Sequence, residues 1–394
     1  MKMNLKDRIS CILACCVLLV FGLLSFISVI APDKEYSDSE GRELEQFSAP
    51  GYQELINGEW GKSLESYLLD QFPLRDRILK SYFGVMDLAG VYERNEYVRG
   101  KNDTILTVYE AETNKQLEYD KEEEARGGLD AIKILKKTCD DKRTRLISLQ
   151  IPHKDEFYSD CYPFLYQDGK SNKTVSREYF TKCLRAEGFD VLDVENVIFS
   201  HRDEYLYYHL DNHYTCRGAY YTYIELLNHI NETYGEALFF PEWDDCGYYR
   251  SDRRLNGGFL RVFGDSGLLN SDYLEYVIPK DMPDYTRLED GIESDKLLFN
   301  QEKAGYSLFM SGNCANTVVK TGRPELPDIL YIGYSYTNAL EAMSVYSFNE
   351  MHSIDPRRYK GSISEYIRKH DLEYVVLVRN DLRTNNENII SPIE

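Results

Sequence analysis

At 394 residues the chain has room for one large α/β domain plus an appended segment, and length alone does not separate one domain from two. A formal net charge of -20 and a pI near 4.9 argue against phosphate-backbone binding, and so against nucleic acid as a partner. Because the acidic residues are spread along the chain, they read as solvated surface rather than as one acidic partner site.

The first element is a run of 23 residues without a charge, Ile9 to Ala31, preceded by Lys2, Lys6 and Arg8. As a helix such a run is long enough for the hydrocarbon layer, and its basic flank points the N-terminus to the cytoplasm. A cleaved signal peptide would have a shorter apolar region. The expectation is an uncleaved single-pass anchor over 1–31, with everything after Pro32 extracytoplasmic.

A polar juxtamembrane linker follows, and then a helical segment from Tyr52 to Tyr92 broken at Asp70-Gln71-Phe72-Pro73-Leu74-Arg75-Asp76. Turn residues Gly100-Lys101-Asn102-Asp103 between extended stretches suggest a small hairpin over Glu96–Leu106. These pieces make up a 32–105 region. From 106 to 394 the pattern becomes α/β: a surface helix within Glu110–Cys139, a buried strand at Arg145–Pro152, a helix at Tyr179–Glu187 and a short strand at Val191–Val194. After a helix-like run from Ala219 to Ile230, the stretch 246–300 loosens and reads as a loop-rich insertion with short strands. Order returns with a strand at Asp328–Gly333, a helix from Ser335, a strand at Asn349–Ile354, a helix at Ser362–His370 and a last buried strand, Tyr374–Val378. The alternation is that of a three-layer α/β domain with a mostly parallel sheet.

Chemistry concentrates in Asp211-Asn212-His213. If the carboxylate orients the imidazole, the other ring nitrogen is free to act as a general base, which leaves a nucleophile to be found. Ser266, in Gly264-Asp265-Ser266-Gly267, has a hydrolase-like tripeptide but lacks the strand–turn–helix context such a motif needs. Ser335, in Gly333-Tyr334-Ser335-Tyr336, has it, at the carboxyl end of a buried strand and the start of a helix. Its own backbone N–H, with a side-chain amide from Asn313 or Asn338, could hold an oxyanion. Arg379 and Asn380, after the last strand, fall at the same end of the sheet.

The six cysteines beyond the apolar run, Cys139, Cys161, Cys183, Cys216, Cys246 and Cys314, have no C-x-x-C spacing, so neither a metal nor a cofactor is expected. The 33 tyrosines cluster at Tyr205–Tyr208, Tyr220–Tyr223 and Tyr248-Tyr249, a composition suited to stacking on carbohydrate.

Taken in order, the motifs resemble the DHHW family, which is similar to the SGNH-hydrolase-like polysaccharide O-acetyltransferases of the alginate type. They run from Asp70–Asp76 through Ile151-Pro152-His153-Lys154, Asp211–Thr215 with Gly218-Ala219, Gly312-Asn313 and Gly333–Asn338 to Ile354–Tyr359. The resemblance implies an SGNH-like domain in which Ser335 is the nucleophile, His213 the base and Asp211 its orienting acid. It further implies an acyl-serine passed to a cell-envelope polysaccharide hydroxyl or to water, and a membrane-bound O-acyltransferase as acetyl donor. Two positions depart from the family: Tyr334 stands where Asp is usual, and Tyr214 where Trp is usual. The first removes a residue that commonly supports the nucleophile turn, so the competing reading is an inactive SGNH-like protein for glycan binding or envelope assembly.

Overall fold

The computed structural model describes residues 5–37, 42–108, 129–166, 172–255, 257–270, 272–303 and 305–379. The chain divides into two units, one of residues 1–92 with 260–269, the other of 93–259 with 270–394.

In the first unit, helix α1 spans Leu5–Ile30 and three further helices follow: α2 (Tyr52–Asn57), α3 (Glu59–Asp70) and α4 (Arg75–Leu88). Among the described residues no helix is long and apolar enough to cross a membrane, so the expected anchor is not a structural finding. The predicted break between α3 and α4 is present. Leu74 takes a left-handed φ of 61° after Pro73, which cannot continue a helix. The heptapeptide at that corner ties down the linker before it. The Asp70 carboxylate accepts from Glu45 N at 2.9 Å, while Gln71 accepts from Lys34 N at 2.9 Å and donates to the Lys34 and Glu45 carbonyls, each at 3.0 Å.

The second unit is built on an eight-stranded sheet of β1 (Arg145–Gln150), β2 (Asp190–Asp193), β3 (Thr286–Glu289), β4 (Ile292–Glu293), β5 (Asn316–Lys320), β6 (Ile329–Ile332), β7 (Glu350–Ile354) and β8 (Tyr374–Arg379), in the order β4-β3-β5-β7-β6-β8-β1-β2. From β7 to β2 the neighbours are parallel, whereas β4, β3 and β5 pair antiparallel and β5 joins β7 antiparallel. The sheet is therefore mixed. Apolar periodicity shows which residues are buried but not which way a strand runs, so the sequence did not reveal the antiparallel edge.

Helices cover both faces. Alternate residues of the central strands divide between them: Ile329, Tyr331, Val376 and Val378 pack with α7 (Cys216–Tyr234) and α8 (Asn338–Ser347). Leu330, Ile332, Val375 and Leu377 pack with helix α5 (129–142), α6 (Asn172–Ala186) and α9 (Ile363–Lys369). The expected α5 began in the Glu110–Cys139 stretch, whose residues 110–128 lie outside the described ones. Helix α7 exceeds its predicted bounds because Thr215 caps its start, accepting from Gly218 N at 3.3 Å, and Gly235 ends it with φ 79°.

Two regions gain detail. Between its loops the 246–300 stretch carries short strands, an antiparallel pair of Gly247–Arg254 with Tyr273–Ile278, together with β3 and β4. The hairpin assigned to 32–105 is a three-stranded sheet of Glu93–Arg94, Tyr97–Arg99 and Ile105–Thr107 that falls in the second unit, where Ile105 N donates to the His209 carbonyl at 2.9 Å.

Candidate active site

The segment before α7 folds back on itself. Tyr207 and Tyr214 form an isolated antiparallel bridge, and Thr215 N donates to Leu206 O at 2.7 Å, closing residues 209–212 into a loop. Gly218 permits it, since a Cβ there would lie 2.6 Å from the Leu206 carbonyl oxygen. Asp211 and His213 therefore sit on a short, pinned loop rather than a long flexible one.

The Asp211 carboxylate is buried, and each of its oxygens is used. Oδ1 accepts from His213 N at 2.9 Å and from His213 Nδ1 at 2.5 Å; Oδ2 accepts from Gly258 N at 2.6 Å. Burial by itself would raise this carboxyl, but the adjacent His213 and the two backbone donors outweigh it and hold it below the usual carboxylate range. Gly257 has to be glycine for this approach, as a Cβ would come 2.4 Å from the Asp211 Cβ.

Beneath the loop lies Lys154, fully buried. Its Nζ donates to the carbonyls of His209 at 2.6 Å and Asp211 at 3.0 Å, fixing the loop from below. Burial pushes the ammonium down to about 8, against the opposing pull of Asp272, Asp155 and Asp211.

The serine comes from the sheet. Gly333 follows β6, and Ser335–Thr337 forms one tight 3-10 turn that runs into α8. The Tyr334 carbonyl accepts from Thr337 N at 2.8 Å and from Thr337 Oγ1 at 2.7 Å, so Thr337 holds the turn. Thr337 Oγ1 also bonds Glu341, which accepts from Ser353 Oγ at 2.8 Å; burial raises that carboxyl to about 7.

These two parts meet at a hydrogen bond. Ser335 Oγ is 2.8 Å from His213 Nε2, across 122 residues of sequence. Since Nδ1 faces the Asp211 carboxylate, Nδ1 carries the proton and Nε2 presents the lone pair to the serine hydroxyl. The Tyr306 ring stacks on the imidazole with centroids 4.0 Å apart and planes 10° apart. The Tyr214 hydroxyl donates to Tyr336 O at 2.5 Å, while the Tyr336 hydroxyl donates to Asn212 O at 2.8 Å.

Of the remaining predicted residues, Asn313 and Asn338 come together. Asn338 Nδ2 donates to Asn313 Oδ1 at 2.8 Å, and both line a cleft with Gly333 and Tyr334. With its oxygen taken by Asn338, the Asn313 amide has its NH2 left to donate. The Tyr334 ring carries the Arg357 guanidinium 4.5 Å above it. Arg379 ends β8 opposite Gln150, but its side chain and all of Asn380 lie outside the described residues. Ser266 belongs to the first unit, where its Oγ accepts from Leu268 N at 3.1 Å as a turn residue. Sequence reasoning did not single out Lys154, Gly257, Gly258, Tyr306, Tyr336 or Thr337 for these roles. Lys154, Tyr336 and Thr337 fell within motifs that carried the resemblance, which was their signal.

Residues 106–240, which include Asp211 and His213, match the family described as SGNH hydrolase-like domain, acetyltransferase AlgX. Over these residues the chain is similar to an SGNH hydrolase-like domain. Solved structures share this domain's fold. A DHHW family protein from Eubacterium siraeum aligns with TM-score 0.53 and 18% identity over 66% of this chain and 88% of its own. Bacillus cereus PatB1 with a sulfonyl adduct aligns with TM-score 0.58 and 16% identity over 74% of this chain and 96% of its own. Among curated proteins, none matches the chain significantly in sequence. The hydrogen-bonded line Asp211–His213–Ser335 starts within the matched residues and runs to the carboxyl end of β6, where open α/β sheets carry their sites.

Proposed function

We propose that the protein is a serine O-acetyltransferase or esterase acting on a cell-envelope polysaccharide through an acyl-serine. The observation that carries this reading is the unbroken hydrogen-bonded line from Asp211 through His213 to Ser335, with contacts of 2.5 and 2.8 Å. Ser335 Oγ attacks the acetyl carbonyl carbon as its proton passes to His213 Nε2, and Asp211 stabilises the imidazolium. The tetrahedral oxyanion is held by the Ser335 N–H and the Asn313 amide. Its collapse expels the donor's leaving group, which takes the proton from Nε2 and leaves acetyl-serine. A sugar hydroxyl or water then gives its proton to His213 and attacks the acetyl-serine, and Ser335 regains a proton from Nε2 as it leaves.

The apolar run Ile9–Ala31 extends this proposal to location. By length, 23 uncharged residues at 1.5 Å each reach roughly 35 Å against a hydrocarbon layer of roughly 30 Å, although among the described residues no helix qualifies as a membrane span. With Lys2, Lys6 and Arg8 ahead of it, this supports a single-pass anchor with the domain outside the cytoplasm, where an acetyl donor would have to be supplied across the membrane by a membrane-bound acyltransferase. The competing, inactive reading rested on Tyr334, and the hold of Thr337 on the Tyr334 carbonyl weakens it.

Turnover of p-nitrophenyl acetate tests the chemistry. Nitrophenol release is expected well above the background of Ser335→Ala and His213→Ala. Release equal to that background, in folded protein, would sink the enzyme reading.

A further inference from the structure

A second cavity, of about 260 Å³, opens at the start of α7 and shares none of the residues Asp211, His213 and Ser335. Ligand sites run from roughly 300 Å³ upward, so this one suits a group about the size of a single sugar ring. Its walls are aromatic: Trp243, Tyr248 and Tyr273 line it together with Tyr205 and Tyr208. Tyr248 is 55% exposed, and Trp243 and Tyr273 are half-buried. The polar groups are Glu204, Arg217 and Glu275. Arg217 Nε is already bonded to Glu204 at 2.8 Å, and its guanidinium lies 4.6 Å over the Trp243 ring. Glu275 in turn lies 3.6 Å from Arg250 Nε, so the carboxylates and the guanidinium of the wall are already paired.

One group there is unsatisfied. Tyr208 is 1% exposed, and among the described residues its hydroxyl has no hydrogen-bond partner. That hydroxyl has no accessible surface, so Tyr208 closes the wall with its ring and leaves the sugar contacts to the exposed aromatic and polar groups. Aromatic faces stack on the apolar side of a pyranose, while carboxylates accept from its hydroxyls. An acidic sugar would find no free cation among the described residues of this wall to offset the loss of its hydration and would be disfavoured.

We infer that this cavity is a subsite for a neutral, hydroxyl-rich sugar residue, and that it selects against uronate polymers. The inference deepens the polysaccharide reading above by naming the acceptor class. The segment that lines the cavity at Tyr205, Tyr208, Thr215 and Arg217 is the one that carries Asp211 and His213 between them, so the subsite and the base are parts of one loop and helix start.

The chain has two tryptophans, Trp60 and Trp243, so Trp60→Phe in the full-length protein leaves Trp243 as the reporter inside the cavity. Titration with N-acetylglucosamine tetrasaccharide is expected to change its emission saturably, and an oligomannuronate of equal length to do so much more weakly. Tyr248→Ala and Glu275→Gln should each weaken the tetrasaccharide roughly tenfold, the scale of one aromatic or polar contact, with nitrophenyl acetate turnover unchanged. No emission change with the tetrasaccharide, equal or tighter binding of the oligomannuronate, or binding indifferent to both substitutions would each overturn the subsite. Turnover without a sugar response removes the subsite alone. A sugar response without turnover removes the catalytic reading and leaves a glycan-binding protein.

Discussion

The Tyr336 hydroxyl donates a 2.8 Å hydrogen bond to the Asn212 carbonyl, so the residue after the serine grips the residue before the histidine. Tyr214, the residue after the histidine, returns a 2.5 Å bond to the Tyr336 carbonyl. The two tyrosines form a reciprocal clasp across the contact between base and nucleophile. This is also what Tyr214 does where the family usually has Trp.

Loss of the clasp should therefore act on geometry, not on substrate binding. Tyr336→Phe keeps the ring and removes one bond, and turnover is expected to fall by about 10- to 100-fold, the scale of a small misplacement of a catalytic group, with KM little changed. Tyr214→Phe should do the same, and the double variant should cost less than the two effects combined. Steady-state kinetics with near-ultraviolet circular dichroism to confirm the fold decide it; wild-type turnover in both single variants would remove the clasp's role.

Gly257→Ala tests the close approach at Asp211. A methyl group 2.4 Å from the Asp211 Cβ must displace either the loop or the acid, and with it the Gly258 N–H bond of 2.6 Å. The expected outcome is a loss of turnover larger than that of a surface Gly→Ala change such as Gly61→Ala, accompanied by a lower melting temperature.

Lys154 sets a pH dependence of known sign. Its folded pKa of about 8 lies below the ordinary 10.5, so between these values the unfolded chain binds more protons and this residue's contribution makes stability rise with pH. Urea unfolding of Lys154→Met across that window should lack this component. The same variant frees the His209 and Asp211 carbonyls and should lower turnover.

Glu341 has the opposite sign. Burial raises its carboxyl from 4.5 to about 7, so between these values the folded state binds more protons and stability is lost as pH rises. In Glu341→Gln that downward slope between pH 4.5 and 7 should flatten, as measured by denaturation midpoints, while the wild type keeps it.

Much of this was legible because local pattern and local structure agree. The apolar run Tyr374–Val378 is a central strand buried on both faces, and Ser335 could be placed because a buried strand, a glycine and a helix surround it in sequence. Asp211 and His213 are two residues apart, so their pairing needed no long-range knowledge. What was not legible depends on distant chain. Lys154 looks like surface until residues 55 and 57 positions later close over it, and Gly258 meets Asp211 across 47 residues. The strand Gly247–Arg254, with its arginines and aspartate, shows little apolar alternation, and its pairing with Tyr273–Ile278 defines it.

The central claim is that Ser335 forms a covalent acyl intermediate with His213 as its base. Its most direct test is peptide mass mapping of the full-length protein quenched during turnover of an activated acetyl ester. An acetyl group on the peptide containing Ser335, absent in Ser335→Ala and much reduced in His213→Ala, is the expected result. Acetylation confined to lysines, or equal labelling of that peptide in both variants, would contradict it.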